Sequence, residues 1–406
     1  MMVNYSTNHL PRSKESPKTK RPPKSKPINP VEEILHPWLL ALPPSLLEEI
    51  QATIDSLIST APKRWVVYPP MLLLPSGSFS SPSWKSLLSH FPPSQIQDLW
   101  TLLLHRISKK EGKGILTHLA VNAGIPLTKS EQDIEGENIL RTPSGLLMLY
   151  GDFGPALQGD SRPSERDFEE AFWVSTKQNG IVQIWAPRYT MFSRGNVKEK
   201  ARLLGFHDSP RAGEEEVGRL NERERRENTA VDFYAGIGYF VFSYVAMGMG
   251  KVVGWELNSW SVEGLRRGAA ANGWEVKVVK RNEDVIVGDE RIVVFLENNQ
   301  MAGQRMEKLK NIGEVKHVNC GLLPTSEASW EMTLGILQGD GWLHLHENVG
   351  VHDVEGRKGA IEGMLRNWLE ERKDSREVKV EHVEFVKTFA PGVWHCVFDV
   401  YIRSLL

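Results

Sequence analysis

The sequence predicts an α/β fold in which a mostly parallel sheet ends in an antiparallel hairpin and follows a smaller α+β domain. From Thr229 onward, segments of strand length alternate with helical segments, which is typical of parallel strands joined by crossover helices. Two further strands around Pro391-Gly392 predict the closing hairpin. Upstream, two short apolar segments flank Asn179-Gly180, a hairpin turn signature that we assign to the smaller domain.

The N-terminal region divides into a basic arm and a helical segment. Residues 1–30 contain seven lysines and arginines, several prolines and one acid, Glu15, so we expect a disordered arm. Solubility is its plainer role, and a weak contact with phosphates is the more specific one. Residues 31–61 are predicted to form one or two short helices, with a break at Pro43-Pro44.

We expect the α+β domain over residues 62–195 and the larger α/β domain over residues 196–406. In the smaller domain, the pattern predicts a helix over 92–108 and strands within 64–74, 114–121, 145–150 and 171–185. The segment 211–228 is dense in both charges and is expected to be a solvated loop or helix. The parallel strands of the larger domain are expected at 230–234, 251–256, 276–280, 291–296, 317–319 and 341–346.

Composition argues against several classes of protein. The chain has 406 residues, a net charge of −2 and two cysteines, Cys320 and Cys396. So few cysteines argue against a disulfide framework and a cysteine-rich zinc site, and they indicate a reducing compartment such as the cytoplasm. No apolar stretch reaches the length of a membrane span, and the N-terminus lacks the apolar core of a signal peptide.

A glycine turn between two predicted strands is the strongest functional motif. The segment VDFYAGIGYF contains Gly236 and Gly238, whose missing β-carbons let backbone amides approach a ligand. The next strand ends at Glu256, about 20 residues farther on, where an acid can bind both hydroxyls of a ribose. A purely structural turn is the alternative, but the strand before the turn and Glu256 after it favour nucleoside binding.

Two departures from the dinucleotide-binding pattern indicate which nucleoside is bound. Val241 stands where that pattern has its third glycine, and Asp232 would repel a pyrophosphate. S-adenosylmethionine brings a ribose and a cationic sulfonium but no phosphate. We therefore expect it as the co-substrate, with Asp232, Gly236, Gly238 and Glu256 in contact with it.

Two other polar segments are candidates for the same site. Ser193 and Lys200 lie after the hairpin, and a lysine there can pair with the carboxylate of a methionine group; a charged surface helix is an equally good interpretation. Arg281 and Asn282 follow the third strand, where an amide can read the edge of an adenine. An ordinary polar turn is the alternative for that pair.

The segment HLHENVG places His344 and His346 on one face of a strand. Contact with a base or phosphate, or simple strand capping, is favoured over a metal site, because no further ligands converge in the sequence. His346, Glu347 and Asn348 are the candidates to border the reacting groups, with His346 and Asn348 preferred, and no metal is expected. The sequence assigns no catalytic base.

Taken together, and in their order along the chain, the motifs resemble those of the wybutosine-synthesizing protein 2 family of tRNA-modifying transferases. The glycine turn and the segment before it are also similar to the tRNA guanine-N1 methyltransferases, which typically have Asn-Leu-Pro after the fourth strand. Here Asn319 is followed by Cys-Gly-Leu-Leu-Pro. The segments that carry the resemblance, from about Trp38 onward, are PKRWVVYPPMLLLPSGSF, LTHLAVNAGIP, FWVSTKQNGIVQIWAPRYTMFSRGNVKEK, VDFYAGIGYF, VNCGLLPTSEASW, HLHENV and APGVWHCVFD.

The resemblance implies a class I, Rossmann-like methyltransferase fold and a specific reaction. The family transfers the 3-amino-3-carboxypropyl group of S-adenosylmethionine to C7 of 4-demethylwyosine, beside the anticodon of tRNA(Phe), and releases methylthioadenosine. By position, the residues similar to the family's cofactor contacts are Ser193, Lys200, Glu256, Arg281 and Asn282. The family usually has Asp at the position of Arg281, which weakens the adenine assignment there.

Three other functions remain open on the sequence alone. A tRNA methyltransferase acting on the same nucleotide would use the same turn. A nicotinamide oxidoreductase is disfavoured by the missing third glycine, and a non-catalytic RNA-binding protein by the intact Gly236, Gly238 and Glu256. Because a sulfonium has three electrophilic carbons, the group transferred must be set at the methionine end, by Ser193, Lys200 and the loops after Asn319 and Leu345.

Overall fold

The structure is a computed structural model that describes residues 28–122, 138, 143, 145–157, 161–208, 217–281 and 283–405. Most of the predicted arm (1–30), Asn282 and the first part of the charged segment 211–228 lie outside the described residues. Across the part that is described, every helix is too short or too polar to span a lipid bilayer.

The N-terminal region is a four-stranded sheet packed against helices around one apolar core. The segment 31–61 contains three helices, and Asn29 caps the first of them by accepting a hydrogen bond from the backbone N–H of Val31. The buried Trp84 indole donates to the Leu57 carbonyl at 3.0 Å and ties two helices together. The elements are α1 (Pro30–Leu40), α2 (Pro44–Glu49), α3 (Ile54–Thr60), β1 (Val66–Tyr68), β2 (Met71–Leu74), α4 (Pro82–Ser89), α5 (Pro93–Glu111), β3 (His118–Val121) and β4 (Leu147–Tyr150).

The predicted hairpin follows α6 (Glu165–Glu170) and consists of β5 (Val174–Gln178) and β6 (Ile181–Trp185). Asn179 and Gly180 have φ angles of 51° and 81°, the left-handed values that a tight two-residue hairpin turn requires. The hairpin packs against a helix of the C-terminal region, where Asn272 accepts from the Val182 N–H at 2.9 Å and donates to its carbonyl at 2.7 Å. The domain boundaries at 61 and 195 stay predictions.

The C-terminal region is built on an eight-stranded sheet. Its strands are β7 (Thr229–Asp232), β8 (Lys251–Glu256), β9 (Val276–Lys280), β10 (Ile292–Leu296), β11 (Val315–Cys320), β12 (Gly341–Gly350), β13 (Glu377–Ala390) and β14 (Val393–Arg403), in the spatial order β13-β14-β12-β11-β7-β8-β10-β9. The strands β7 to β12 are parallel, and β14 is antiparallel to both of its neighbours. The predicted α/β fold with a closing antiparallel hairpin is therefore confirmed.

Helices cover both faces of this sheet, and each face has its own apolar core. On one face, Leu203, Val241 and Leu265 pack against Ala230 and Val252. On the other face, side chains of the two C-terminal helices pack against Val231 and its neighbours. The helices are α7 (Val197–Leu204), α8 (Glu222–Glu227), α9 (Val241–Met247), α10 (Ser259–Ala271), α11 (Ala302–Lys308), α12 (Trp330–Ile336) and α13 (Val354–Glu371).

The topology places a ligand-binding edge at the carboxyl ends of β7, β8 and β11. The first strand, β7, is central, and the strand order reverses between β7 and β11; ligands of open α/β sheets bind at such a reversal. The strand predicted to end at His346 continues to Gly350, because β14 pairs with residues 347–350 beyond the end of β11. Asn348 therefore lies on a strand instead of in a loop.

Candidate active site

The glycine turn joins β7 to α9 with a backbone that two glycines make possible. Gly236 and Gly238 have φ angles of 54° and 90°, in the left-handed region that other residues rarely adopt. A β-carbon on Gly238 would lie 2.5 Å from a ring carbon of Phe242. The turn therefore requires glycine at position 238 for both its backbone angle and the space available.

Glu256 ends β8 and points into this turn. Its carboxylate accepts hydrogen bonds from the backbone N–H of Gly236 at 2.9 Å and from that of Asn258 at 2.7 Å. The predicted pairing of the turn with the acid is thus present in the structure. A carboxylate held in place by two backbone donors is preorganised to accept further bonds from the hydroxyls of a ribose.

Asp232, the last residue of β7, is fully buried beside the turn. Its Oδ1 accepts from the Tyr234 N–H and from the Asn319 amide, both at 3.1 Å, whereas Oδ2 has no hydrogen-bond partner among the described residues. Burial raises the pKa of Asp232 to about 6, and the negative charge of the nearby Glu256 contributes to this increase. A cationic group or a hydrogen-bond donor beside Oδ2 would compensate this burial, which fits a positively charged ligand.

Lys200 is a buried cation without a carboxylate partner among the described residues. It is 4% exposed, and its Nζ donates to Gln178 Oε1 at 2.7 Å and to Gln183 Oε1 at 2.9 Å. The Nζ also lies 4.9 Å from the centre of the Phe192 ring. Burial lowers the pKa of Lys200 to about 8. The surface-helix interpretation of Lys200 is therefore wrong, and an anionic ligand would stabilise its charged form.

Tyr239 brings the Ser193 segment and Lys200 to the glycine turn. The Tyr239 hydroxyl accepts from the Ser193 N–H at 3.2 Å and donates to the Met191 carbonyl. The Lys200 Nζ lies 5.6 Å from the Tyr239 ring, and a β-carbon on Gly236 would lie 2.9 Å from that ring. The residues predicted for the two ends of S-adenosylmethionine thus share one neighbour, which sequence reasoning did not single out.

The predicted adenine contacts are not tested by this arrangement. Arg281 is exposed just beyond the end of β9, two strands away from β8. Asn282 lies outside the described residues. The assignment of both residues to the adenine stays a prediction.

A salt-bridge cluster fastens α7, and with it Lys200, to the sheet. The Arg202 guanidinium donates to Asp399 on β14 at 2.5 and 3.1 Å and to Glu199 at 2.7 and 2.8 Å. His344 bonds the same aspartate at 2.7 Å. Glu199 and Asp399 are both buried, so their charges depend on Arg202 for compensation.

His346 and His395 belong to a buried hydrogen-bonded chain that begins at Asp232. His346 Nε2 lies 3.1 Å from Asn319 Oδ1, and its Nδ1 lies 2.9 Å from His395 Nε2. Burial lowers the pKa of His346 well below its usual value. Both nitrogens of His346 are therefore engaged, whereas the Asn348 amide and His395 Nδ1 have no hydrogen-bond partners among the described residues.

Among the described residues, no group of three or more His, Cys, Asp or Glu side chains is arranged to hold a metal ion. The histidines are hydrogen-bonded to one another and to acceptor groups instead, as in the chain of His207, His317 and His344. The alternation in the sequence shows that His344 and His346 share one face of a strand. Their hydrogen-bond partners lie on other strands, so the sequence does not show them.

The chain is 39% identical over 343 residues to tRNA wybutosine-synthesizing protein 2 of Schizosaccharomyces pombe, a match that covers 84% of this chain and 72% of that relative. It is 32% identical to tRNA wybutosine-synthesizing protein 2 of Saccharomyces cerevisiae, over 86% of this chain and 75% of that relative. No protein-family model matches the chain.

Two solved structures share the fold. One is TYW2 of P. horikoshii in complex with MeSAdo, with a TM-score of 0.52 at 16% identity, covering 89% of this chain and 99% of that one. The other is Trm5b of Pyrococcus abyssi, with a TM-score of 0.51 at 13% identity, covering 89% of this chain and 82% of that one. At these identities, the similarity concerns the fold alone.

Proposed function

Because the chain belongs to the tRNA wybutosine-synthesizing protein 2 family, we propose that it transfers the 3-amino-3-carboxypropyl group of S-adenosylmethionine to C7 of 4-demethylwyosine in tRNA(Phe). The second product is methylthioadenosine. The observation that carries the proposal is the 39% identity to a protein of that name over 84% of this chain. A cytoplasmic location is part of the same proposal.

The nucleoside end of S-adenosylmethionine is proposed to lie along the glycine turn. Glu256, held by the Gly236 and Asn258 amides, would bind the ribose hydroxyls. Gly236 and Gly238 would keep the backbone close to the ligand. The Oδ2 of Asp232, which has no hydrogen-bond partner among the described residues, would face the positive group of the ligand. Arg281 and Asn282 are proposed to contact the adenine.

The methionine end is proposed to lie between the Ser193 segment and Lys200. A carboxylate next to the buried Lys200 would pair with a cation whose hydrogen-bond partners among the described residues are two neutral amides. This contact would hold the aminocarboxypropyl chain in a fixed orientation. Because effective concentration decides which sulfonium carbon reacts, a chain turned toward the acceptor base is the one transferred. The P. horikoshii TYW2 structure with MeSAdo supports the same choice, since that ligand name denotes the methylthio product.

The partner is proposed to be the anticodon stem-loop of tRNA(Phe). The N-terminal region and the basic arm would seat it, because lysines and arginines bind phosphates without regard to base identity. Seven such residues lie in residues 1–30. This part of the proposal rests on the sequence, since most of the arm lies outside the described residues.

Mass spectrometry of the small-molecule products tests the proposed reaction. The full chain is incubated with S-adenosylmethionine and tRNA(Phe) that carries 4-demethylwyosine. We expect methylthioadenosine, formed only when this tRNA is present. S-adenosylhomocysteine as the product would contradict the proposal and would support a methyltransferase acting on the same nucleotide.

A further inference from the structure

We propose that His395 accepts the proton that leaves C7 of the base, and that the amide of Asn348, which lies opposite His395 on β12, holds that base. The inference rests on the proposed function and deepens it by assigning two roles within the same site. His395 would then be the general base, a role that the sequence left unassigned.

Hydrogen-bond chemistry fixes the positions of the protons along the chain from Asp232 to His395. The Asp232 Oδ1 is an acceptor, so the Asn319 amide must turn its NH2 toward it and its Oδ1 toward His346. His346 therefore carries its proton on Nε2, and its Nδ1 accepts from His395 Nε2. A neutral His395 is then left with an unprotonated Nδ1. This order holds for ionised Asp232, because the oxygens of a carboxylate can only accept.

The free nitrogen of His395 lies beside a second set of unmatched atoms. His395 is fully buried, and its Nδ1 has no hydrogen-bond partner among the described residues. Asn348 lies directly opposite on β12, and neither its Oδ1 nor its Nδ2 has a partner in the same part of the chain. Because unmatched buried polar atoms each cost about 1–3 kcal/mol, adjacent ones indicate a site built for a polar ligand.

Alternation along β12 puts Asn348 on the same face as His346, and the pairing of β12 with β14 puts His395 beside it on that face. The Asn348 amide makes no hydrogen bond with any other described residue, so it can bond to a base without breaking one. Asn348 is thus placed to hold the base at the carboxyl edge of the sheet, next to His395.

The other side of His395 leads to the proposed methionine end. Lys387 on β13 lies opposite His395. A β-carbon on Gly195 would lie 2.6 Å from the Lys387 Nζ, so this lysine packs against the segment that contains Ser193. His395 therefore lies between Asn348, proposed to hold the base, and the segment proposed to hold the transferred chain.

The neighbouring acid and histidine are less suited to take the proton. The Glu347 carboxylate is on the opposite face of β12 from Asn348 and is held by Arg357 at 2.7 and 2.9 Å. His346 uses both ring nitrogens within the chain. Burial and, to a smaller extent, the charge of Lys387 lower the pKa of His395 to about 4, so its ring is neutral at pH 7. A weak base suffices because the proton leaves a cationic ring.

The reaction then balances without a further reactant. A π-electron pair of the base forms the bond from C7 to the aminocarboxypropyl chain, and the electron pair of the broken carbon–sulfur bond stays on sulfur. The C7–H bond breaks, its electron pair restores the double bond of the ring, and the proton goes to His395 Nδ1. The imidazolium loses this proton to solvent after the products leave.

The substitution His395→Gln tests the assignment, because a glutamine amide can still donate to His346 but has no basic nitrogen. We expect transfer to slow by about 10²- to 10⁴-fold, the usual contribution of a general base. Affinity for S-adenosylmethionine, measured by calorimetry, should stay close to that of wild type, because a general base acts in the transfer step and not in binding. A substrate with deuterium at C7 should show a larger isotope effect in the variant than in wild type, since proton removal becomes limiting. The exposed His105→Gln is the matched control.

Three results would overturn the assignment. They are transfer by the variant at close to the wild-type rate, slow transfer without an increased isotope effect, and loss of S-adenosylmethionine binding. If wild type itself forms no methylthioadenosine, the proposed function fails, and this outcome is distinct from the others. Nitrogen NMR of wild-type protein with labelled imidazoles gives a check that does not depend on the variant's folding: we expect His395 to be protonated on Nε2, and a proton on Nδ1 would contradict the proposal.

Discussion

Lys200 is a single residue whose titration can report on the methionine end of the site. Its pKa of about 8 lies below the ordinary value, so the side chain is charged below pH 8 and neutral above it. A ligand carboxylate pairs only with the charged form. We therefore expect the affinity for S-adenosylmethionine to fall as the pH rises above about 8, whereas methylthioadenosine, which has no carboxylate, should bind with little change.

The substitution Lys200→Met should weaken binding of S-adenosylmethionine by about 10- to 100-fold, since a hydrogen bond to a charged group contributes about 1.5–3 kcal/mol. It should also remove the part of the pH dependence that belongs to the lysine. Calorimetry at pH 7 and pH 9 measures both effects, with the exposed Lys85→Met as the control. Unchanged affinity in Lys200→Met would place the carboxylate elsewhere.

Glu256 should act on the other end of the ligand. The substitution Glu256→Gln keeps the shape of the side chain but removes the charge that makes it a strong acceptor, so we expect about 10-fold weaker binding. Because both ligands carry the ribose, S-adenosylmethionine and methylthioadenosine should lose affinity equally in calorimetric titrations. The exposed Glu307→Gln serves as the control, and a loss confined to S-adenosylmethionine would argue against ribose binding.

Single residues also show how far the sequence predicts the site. The pairing of the glycine turn with Glu256 was predictable, because both lie on consecutive strands whose carboxyl ends must meet. The proposed choice of His395 over His346 was not, because it depends on which strand pairs with β12 and in what register. Nor does the sequence show that Tyr239 lies between Ser193 and the turn.

At the level of secondary-structure elements, helix α7 is positioned by buried charges. Removing the guanidinium in Arg202→Met would leave Glu199 and Asp399 buried without compensation. We expect the free energy of unfolding in urea to fall by about 3–5 kcal/mol. The control Arg266→Met removes a guanidinium from an ion pair whose arginine side chain is half exposed, and it should cost less than about 1 kcal/mol. Equal effects of the two substitutions would contradict this account of α7.

The strand boundary that the sequence missed at the end of β12 has a tertiary cause. Periodicity predicted the six parallel strands because each is apolar and bounded by polar turns. The extension of β12 to Gly350 comes from pairing with β14, which is distant in the sequence. Three helices formed over 31–61 instead of one or two for a local reason: the first break is the predicted one at Pro43-Pro44, and Thr53 starts a third helix with a capping box to Ser56.

In the molecule as a whole, an apolar cluster connects the N-terminal sheet to the glycine turn. Tyr68 of β1, Trp185 of the hairpin and Phe192 pack together with Ile237, which lies between the two glycines of the turn. A region proposed to seat tRNA is thus in direct contact with the region proposed to hold S-adenosylmethionine. The sequence predicted the two regions but not this contact, because none of these residues is unusual in its own segment.

The central claim is the identity of the transferred group, and isotope labelling tests it most directly. S-adenosylmethionine with one label in its methyl group and a different label in its aminocarboxypropyl chain is supplied with tRNA(Phe) carrying 4-demethylwyosine. We predict that mass spectrometry of the digested tRNA finds only the aminocarboxypropyl label, on the modified base. The methyl label in the tRNA, with the chain label left on the released nucleoside, would contradict the claim.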